Sequence, residues 1–195
     1  PHLLWREAKE LRDFADQKPN STGSGDRTLP FLLIWGEPAG DVPAPEQLHW
    51  QGDGPTPVAM HRTAWNEAAT FVGIKGGSPS ANHAHMDIGS FVLDMDGVRW
   101  GLDLGSQSYH SLESKGIGLW NRRQDSERWT VFRLNNFSHN TLVVNGELQR
   151  VDSFSPIVAF SDDAERPYTI VDISPAYKGQ LAEAKRGVRL VGESV

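Results

Sequence analysis

Cysteine is absent from all 195 residues, which excludes a disulfide framework and thiolate metal sites. Any metal must therefore be held by His, Asp or Glu. No apolar run approaches the roughly 20 residues that a membrane-spanning helix needs, and residues 1–7 carry neither the charged start nor the apolar centre of a secretion signal. Basic residues are in the minority, 19 against 25 acidic, for a formal net charge of -6. No Lys/Arg cluster interleaved with aromatics occurs, so neither nucleic acid nor an anionic membrane surface is an expected partner. With 38% hydrophobic and 23% charged residues, the chain has the material for a packed core and lies outside the disordered class.

Residues 1–17 place Leu3, Leu4, Ala8, Leu11, Phe14 and Ala15 at a 3.6-residue period with charged residues between them, the pattern of an amphipathic helix. A Ser/Gly-rich stretch follows, and residues 36–57 hold Pro38, Pro43, Pro45, Pro55 and Pro57, which reads as a linker. From Val58 onward, short β-branched and aromatic runs divided by Gly, Asn, Asp and Pro predict an antiparallel β-sandwich. The expected strands are 58–65, 70–75, 89–95, 98–104, 130–134, 141–144, 157–161, 168–173 and 187–191. The division is thus 1–35 helical, 36–57 linker and 58–195 sandwich. A helix at the start and a strand-like run at the end suggest a piece of a longer protein.

Asp96-Gly97 between alternating runs predicts a hairpin with a two-residue type I′ turn. Unbroken, its register sets Met95 against Val98, Asp94 against Arg99, Leu93 against Trp100 and Ser90 against Asp103. Phe91, Leu93, Met95, Val98, Trp100 and Leu102 then share one apolar face that packs on a core.

Of seven histidines, His2, His49, His61 and His110 sit in unremarkable company and are expected at the surface or satisfied in the core. The others differ. Asn82-His83-Ala84-His85-Met86-Asp87 sets two imidazoles and a carboxylate two residues apart, so an extended chain would aim all three the same way. Ser138-His139-Asn140 adds a third imidazole from far along the chain. A zinc site on nitrogen and oxygen needs three converging protein groups, and the carboxylate could be Asp87, Asp94, Asp96 or Asp103. Asp103 faces the histidines only if the chain breaks register near residues 87–89, where Gly89 permits a bulge or turn.

Taken together, Lys75-Gly76-Gly77, the segment from Asn82 to Phe91, Asp96-Gly97-Val98-Arg99-Trp100, Asp103-Leu104-Gly105 and His139-Asn140-Thr141-Leu142 resemble the C-terminal region of the heparinase II/III-like polysaccharide lyases. The resemblance covers residues 58–149. It implies an antiparallel β-sandwich behind an (α/α) toroid, of which residues 1–35 would be the end. It implies zinc on His85, Asp103 and His139, favouring the register break, and His83 as the proton-transferring catalytic residue. The remaining catalytic groups would belong to the toroid. Asn82, Tyr109 and Arg133 are the candidate substrate contacts.

The implied reaction is β-elimination on a uronic-acid-containing polysaccharide, which needs the carboxylate neutralised, a base for the C5 proton and an acid for the leaving oxygen. An imidazole with an ordinary pKa near 6.5 serves as either. A polymer-degrading enzyme is expected in the periplasm or outside the cell. Trp100, Trp120 and Trp129 could each stack on a sugar ring, with Trp100 expected in the core. The run Arg122-Arg123-Gln124-Asp125-Ser126-Glu127-Arg128 mixes both signs and reads as a solvated loop. Two other classes fit the sandwich alone: a carbohydrate-binding module without metal, and a structural sandwich whose histidines merely bond one another.

Overall fold

Alternation of apolar and polar residues fixes which side of each strand is buried, and the computed structural model describes residues 43–192 in these terms. The helix expected over 1–17 and the rest of the segment 1–35 lie outside the described residues.

Five strands form one antiparallel meander in the order β1 (His49–Gly52), β2 (Val58–Arg62), β3 (Phe71–Lys75), β4 (Phe91–Met95) and β5 (Val98–Gly101). Three more, β6 (Ile157–Ser161), β7 (Tyr168–Asp172) and β8 (Lys185–Arg189), form a second. Val72 and Ile74 of β3 point inward while Phe71, Gly73 and Lys75 point out, as the two-residue period of a half-covered sheet requires. Ala59, Val72 and Ile74 from the first sheet and Val171 and Val188 from the second share one core with Ile88, Ile173, Ala176, Tyr177 and Leu190. The two sheets are therefore the layers of a β-sandwich. A second core gathers Met86, Leu112, Leu119, Trp129, Val131, Leu134 and Val151. It lies largely under the loops after β5 and includes Leu112 of the one α-helix among the described residues, α1 (Tyr109–Glu113).

The structure corrects several expectations. Strand β1 falls inside the stretch read as a linker, pairing with β2 from His49↔His61 to Gly52↔Val58. Residues 130–134 are not a strand. They lie in two 3-10 turns, Glu127–Thr130 and Phe132–Leu134, where Asn135 Nδ2 takes up the carbonyl of Trp129 and the apolar side chains serve the second core. Residues 141–144 form no ladder either: Thr141 spends its hydroxyl on the Ile88 carbonyl, and Val144 makes a lone bridge to Glu147 across Asn145-Gly146, both at positive φ.

The hairpin turn is as expected, with Asp96 at φ 52° and Gly97 at φ 72°. Its register is not. Met95 pairs with Val98 and Asp94 with Arg99, but Leu93 then pairs with Gly101, leaving Trp100 as the extra residue of a β-bulge. A Cβ at Gly101 would stand 3.0 Å from the Leu93 nitrogen, so glycine permits this close approach. Trp100 is consequently 65% exposed, and Val98 and Leu102 are exposed with it, whereas Phe91 and Leu93 still pack on the core.

Candidate metal centre and the surface beside it

The two histidines separated by one alanine do not aim the same way. Residues 81–84 turn, with the Ala84 amide bonded to the Ala81 carbonyl, and His83 adopts the left-handed conformation at φ 58°. His83 is therefore exposed while His85 is buried. The next residue, Met86, is fixed by its amide to the Leu134 carbonyl and by its place in the second core. Gly89, at φ 77°, then turns the chain into β4, its amide on the Lys75 carbonyl. A substituted Cβ there would meet Ile173 at 2.9 Å. The break expected at this glycine is present, and the bulge at Trp100 adds a second one. Beyond the bulge the strand ends at Gly101, and Asp103 lies between the Ser90 hydroxyl and His139.

His139 is buried, and its Nδ1 donates to Asp103 Oδ2 at 2.8 Å. Its other ring nitrogen, Nε2, is buried without a partner. The rings of His85 and His139 lie 5.3 Å apart, and ligand atoms of His85, Asp87 and His139 all fall within 4.8 Å of one another. Thus two of the three expected ligands, His85 and His139, meet. Asp103 sits on His139, and Asp87 joins the group while forming an ion pair with Lys75 at 2.6 Å.

The electrostatics suit a cation. Burial, with His139, Arg128 and Lys75 acting in the same sense and Asp87 against it, pushes His85 down to about 4, so its imidazole is neutral and keeps a lone pair. Burial alone would raise Asp103, but hydrogen bonds from His139, the Gly105 amide and Ser90 outweigh it and hold the carboxyl at about 2. A neutral imidazole, a fixed anion and an orphaned buried ring nitrogen together fit a divalent metal bound through nitrogen and oxygen.

Beside this cluster lies an aromatic wall. His83 stacks on Tyr109 at 5.7 Å between ring centres and 15° between planes, with its Nδ1 3.3 Å from the Tyr109 hydroxyl. Trp120 meets both rings edge-on. Asn82 is exposed next to His83. Arg133 is spent on the carbonyls of Leu104 and Ser106, securing the loop after Asp103. Trp129 is a core residue.

The sequence reading missed Arg128. Taken as part of a solvated loop, it is instead among the largest fully buried side chains, donating to the carbonyls of Leu119 and Ala84 and, at 3.4 Å, to the Tyr109 hydroxyl. The only sequence signal was its position one residue before Trp129.

The C-terminal domain model of the heparinase II/III-like family matches residues 58–167. No curated protein sequence matches the chain. Two solved structures of heparinase III share its fold. One, with methylated lysines, has a TM-score of 0.61 at 18% identity and covers 98% of this chain and 25% of the other. The second has a TM-score of 0.56 at 15% identity and covers 87% and 24%. The chain thus spans about a quarter of the length of either.

Proposed function

Because the chain belongs to the heparinase II/III-like family through its residues 58–167, we propose that it is the metal-holding sandwich part of a polysaccharide lyase that cleaves uronate-containing glycans by β-elimination. The observation that carries this is the meeting of buried His85 and His139 directly beside an exposed His83. The buried pair is suited to hold an ion, and the third imidazole, held against Tyr109 through one face and Nδ1, is exposed to a substrate.

The metal is zinc, held by His85, Asp103 and His139. Asp103 is the carboxylate because its negative charge is bonded to no cationic side chain, whereas Asp87 is already neutralised by Lys75, whose ammonium would repel a dication. A second reading rests on the 4.8 Å grouping: Asp87 is the ligand, and Asp103 orients His139 from behind, as carboxylates often do for metal-bound histidines. When bound, the ion supplies a fixed positive charge that clamps the His85 loop to the hairpin. His83, held by Tyr109, accepts the C5 proton of the uronate or returns one to the leaving oxygen. The remaining groups come from a toroid domain in the longer protein, which acts in the periplasm or outside the cell.

Plasma mass spectrometry of the purified chain tests the site. About one zinc per chain is expected, lost in His85→Ala, His139→Ala and Asp103→Ala and kept in Asp87→Ala. Retention in Asp103→Ala with loss in Asp87→Ala would favour the second reading. No zinc after add-back without chelator would reject both. For the longer protein, ultraviolet absorbance of the unsaturated uronate product tests the reaction, and its absence would reject the lyase assignment.

A further inference from the structure

We infer that His83, Tyr109 and Trp120 form a seat for one pyranose ring of a uronate-containing glycan, and that buried Arg128 is the positioning residue that holds the seat together. The inference deepens the lyase reading and rests on it.

Trp120 is 61% exposed, an unusual placement for the largest apolar side chain. It is nevertheless held in place. Its indole nitrogen donates to Glu113 Oε1 at 2.9 Å, and its ring stands at 86° to His83 and 89° to Tyr109, with ring centres 6.0 and 5.5 Å away. Both contacts are edge-on, so they fix the ring without making a parallel stack that would hide it. A rigid aromatic face rimmed by a carboxylate, a phenol and an imidazole suits a sugar ring, which offers C–H groups on its flat side and hydroxyls around its edge. The face adjoins His83, so a ring seated on it lies next to the proposed proton-transfer group.

The three walls come from separate stretches of chain, and one buried group joins them. Arg128 bonds the carbonyl of Ala84, adjacent to His83, the carbonyl of Leu119, adjacent to Trp120, and the hydroxyl of Tyr109 itself. Its planar fork reaches all three at once, which the single ammonium of lysine does not do.

The test is titration of the 195-residue chain with an unsulfated heparosan tetrasaccharide, followed by isothermal calorimetry. Trp120→Ala is expected to weaken binding about tenfold, Trp120→Phe to retain most of it, and Trp100→Ala, which removes an equally exposed indole from the bulge, to leave it unchanged. Arg128→Lys should weaken binding by a factor near that of Trp120→Ala. If Arg128 acts through the seat, the double variant is no worse than Trp120→Ala alone, whereas general loosening of the fold would add to it. Equal binding by Trp120→Ala and Trp100→Ala, or no binding by the unmodified chain, overturns the seat. Additive losses overturn the role of Arg128. None of these results touches zinc content or the unsaturated product of the longer protein, which report separately on the lyase reading.

Discussion

His61 shows what burial does to a single side chain. It lies between the two sheets, fully buried, with Nε2 at 2.7 Å from Thr169 Oγ1 of β7 and Nδ1 at 3.3 Å from His49 Nδ1. Two facing ring nitrogens share one proton, so the neutral pair is satisfied and the doubly protonated pair is not. Burial first, and His49 second, push His61 down to about 4, while the unfolded chain takes up a proton near 6.5. Between those values the unfolded state binds more protons, so the stability from this group is complete above about pH 6.5 and is lost as the pH falls through about 4. In metal-free protein His85 acts with the same sign. The urea midpoint is therefore expected to hold steady down to about pH 6.5 and then fall, less steeply in His61→Leu. An equal fall in that variant would show that His61 is not responsible.

At the scale of elements, the bulge on β5 separates two changes that look similar on paper. Trp100→Ala removes an exposed ring and should change the melting temperature little. Deleting Trp100 removes the bulge, shortens the path to Asp103 by one residue and is expected to pull its carboxylate off His139 and lower zinc content; plasma mass spectrometry of the deletion variant decides it. Gly76 marks another close approach. A Cβ there would stand 2.3 Å from the Ser155 carbonyl oxygen, beside the Gly77↔Ser155 bridge, so Gly76→Ala should cost about 2–3 kcal/mol in urea unfolding. Gly187→Ala, whose nearest contact is an ordinary 3.6 Å, is the control. Much of this was legible beforehand. Seven strands and the Asp96-Gly97 turn follow from alternation and turn chemistry, whereas the break at Gly89 is favoured only by the family resemblance, Gly89 merely permitting it. Trp100 was misplaced because a bulge is set by the fit of Gly101 against Leu93, which no local pattern encodes. Residues 130–134 read as a strand because β-branched and aromatic residues suit a second core as well as a sheet. His83 and His85 were expected to point together because spacing alone does not reveal a left-handed residue. Arg128 was hidden because burial of a cation depends on carbonyls from two distant loops.

For the molecule as a whole, the two cores divide the labour: the sandwich between the sheets supplies the frame, and the smaller core under the loops carries the aromatic wall and one side of the metal cluster. Among the described residues β5 is one of the outer strands of the two sheets, and it stands out because Val98, Trp100 and Leu102 are exposed along it. A rim of this kind pairs with whatever strand it meets. Purified on its own, the chain should therefore scatter light increasingly as it is concentrated, despite its formal charge of -6, and a lysine in place of Val98 should raise the concentration at which it stays clear without altering its melting. The usable strength of a stock solution is thus governed by a few residues at one margin of the sheet rather than by the composition of the chain.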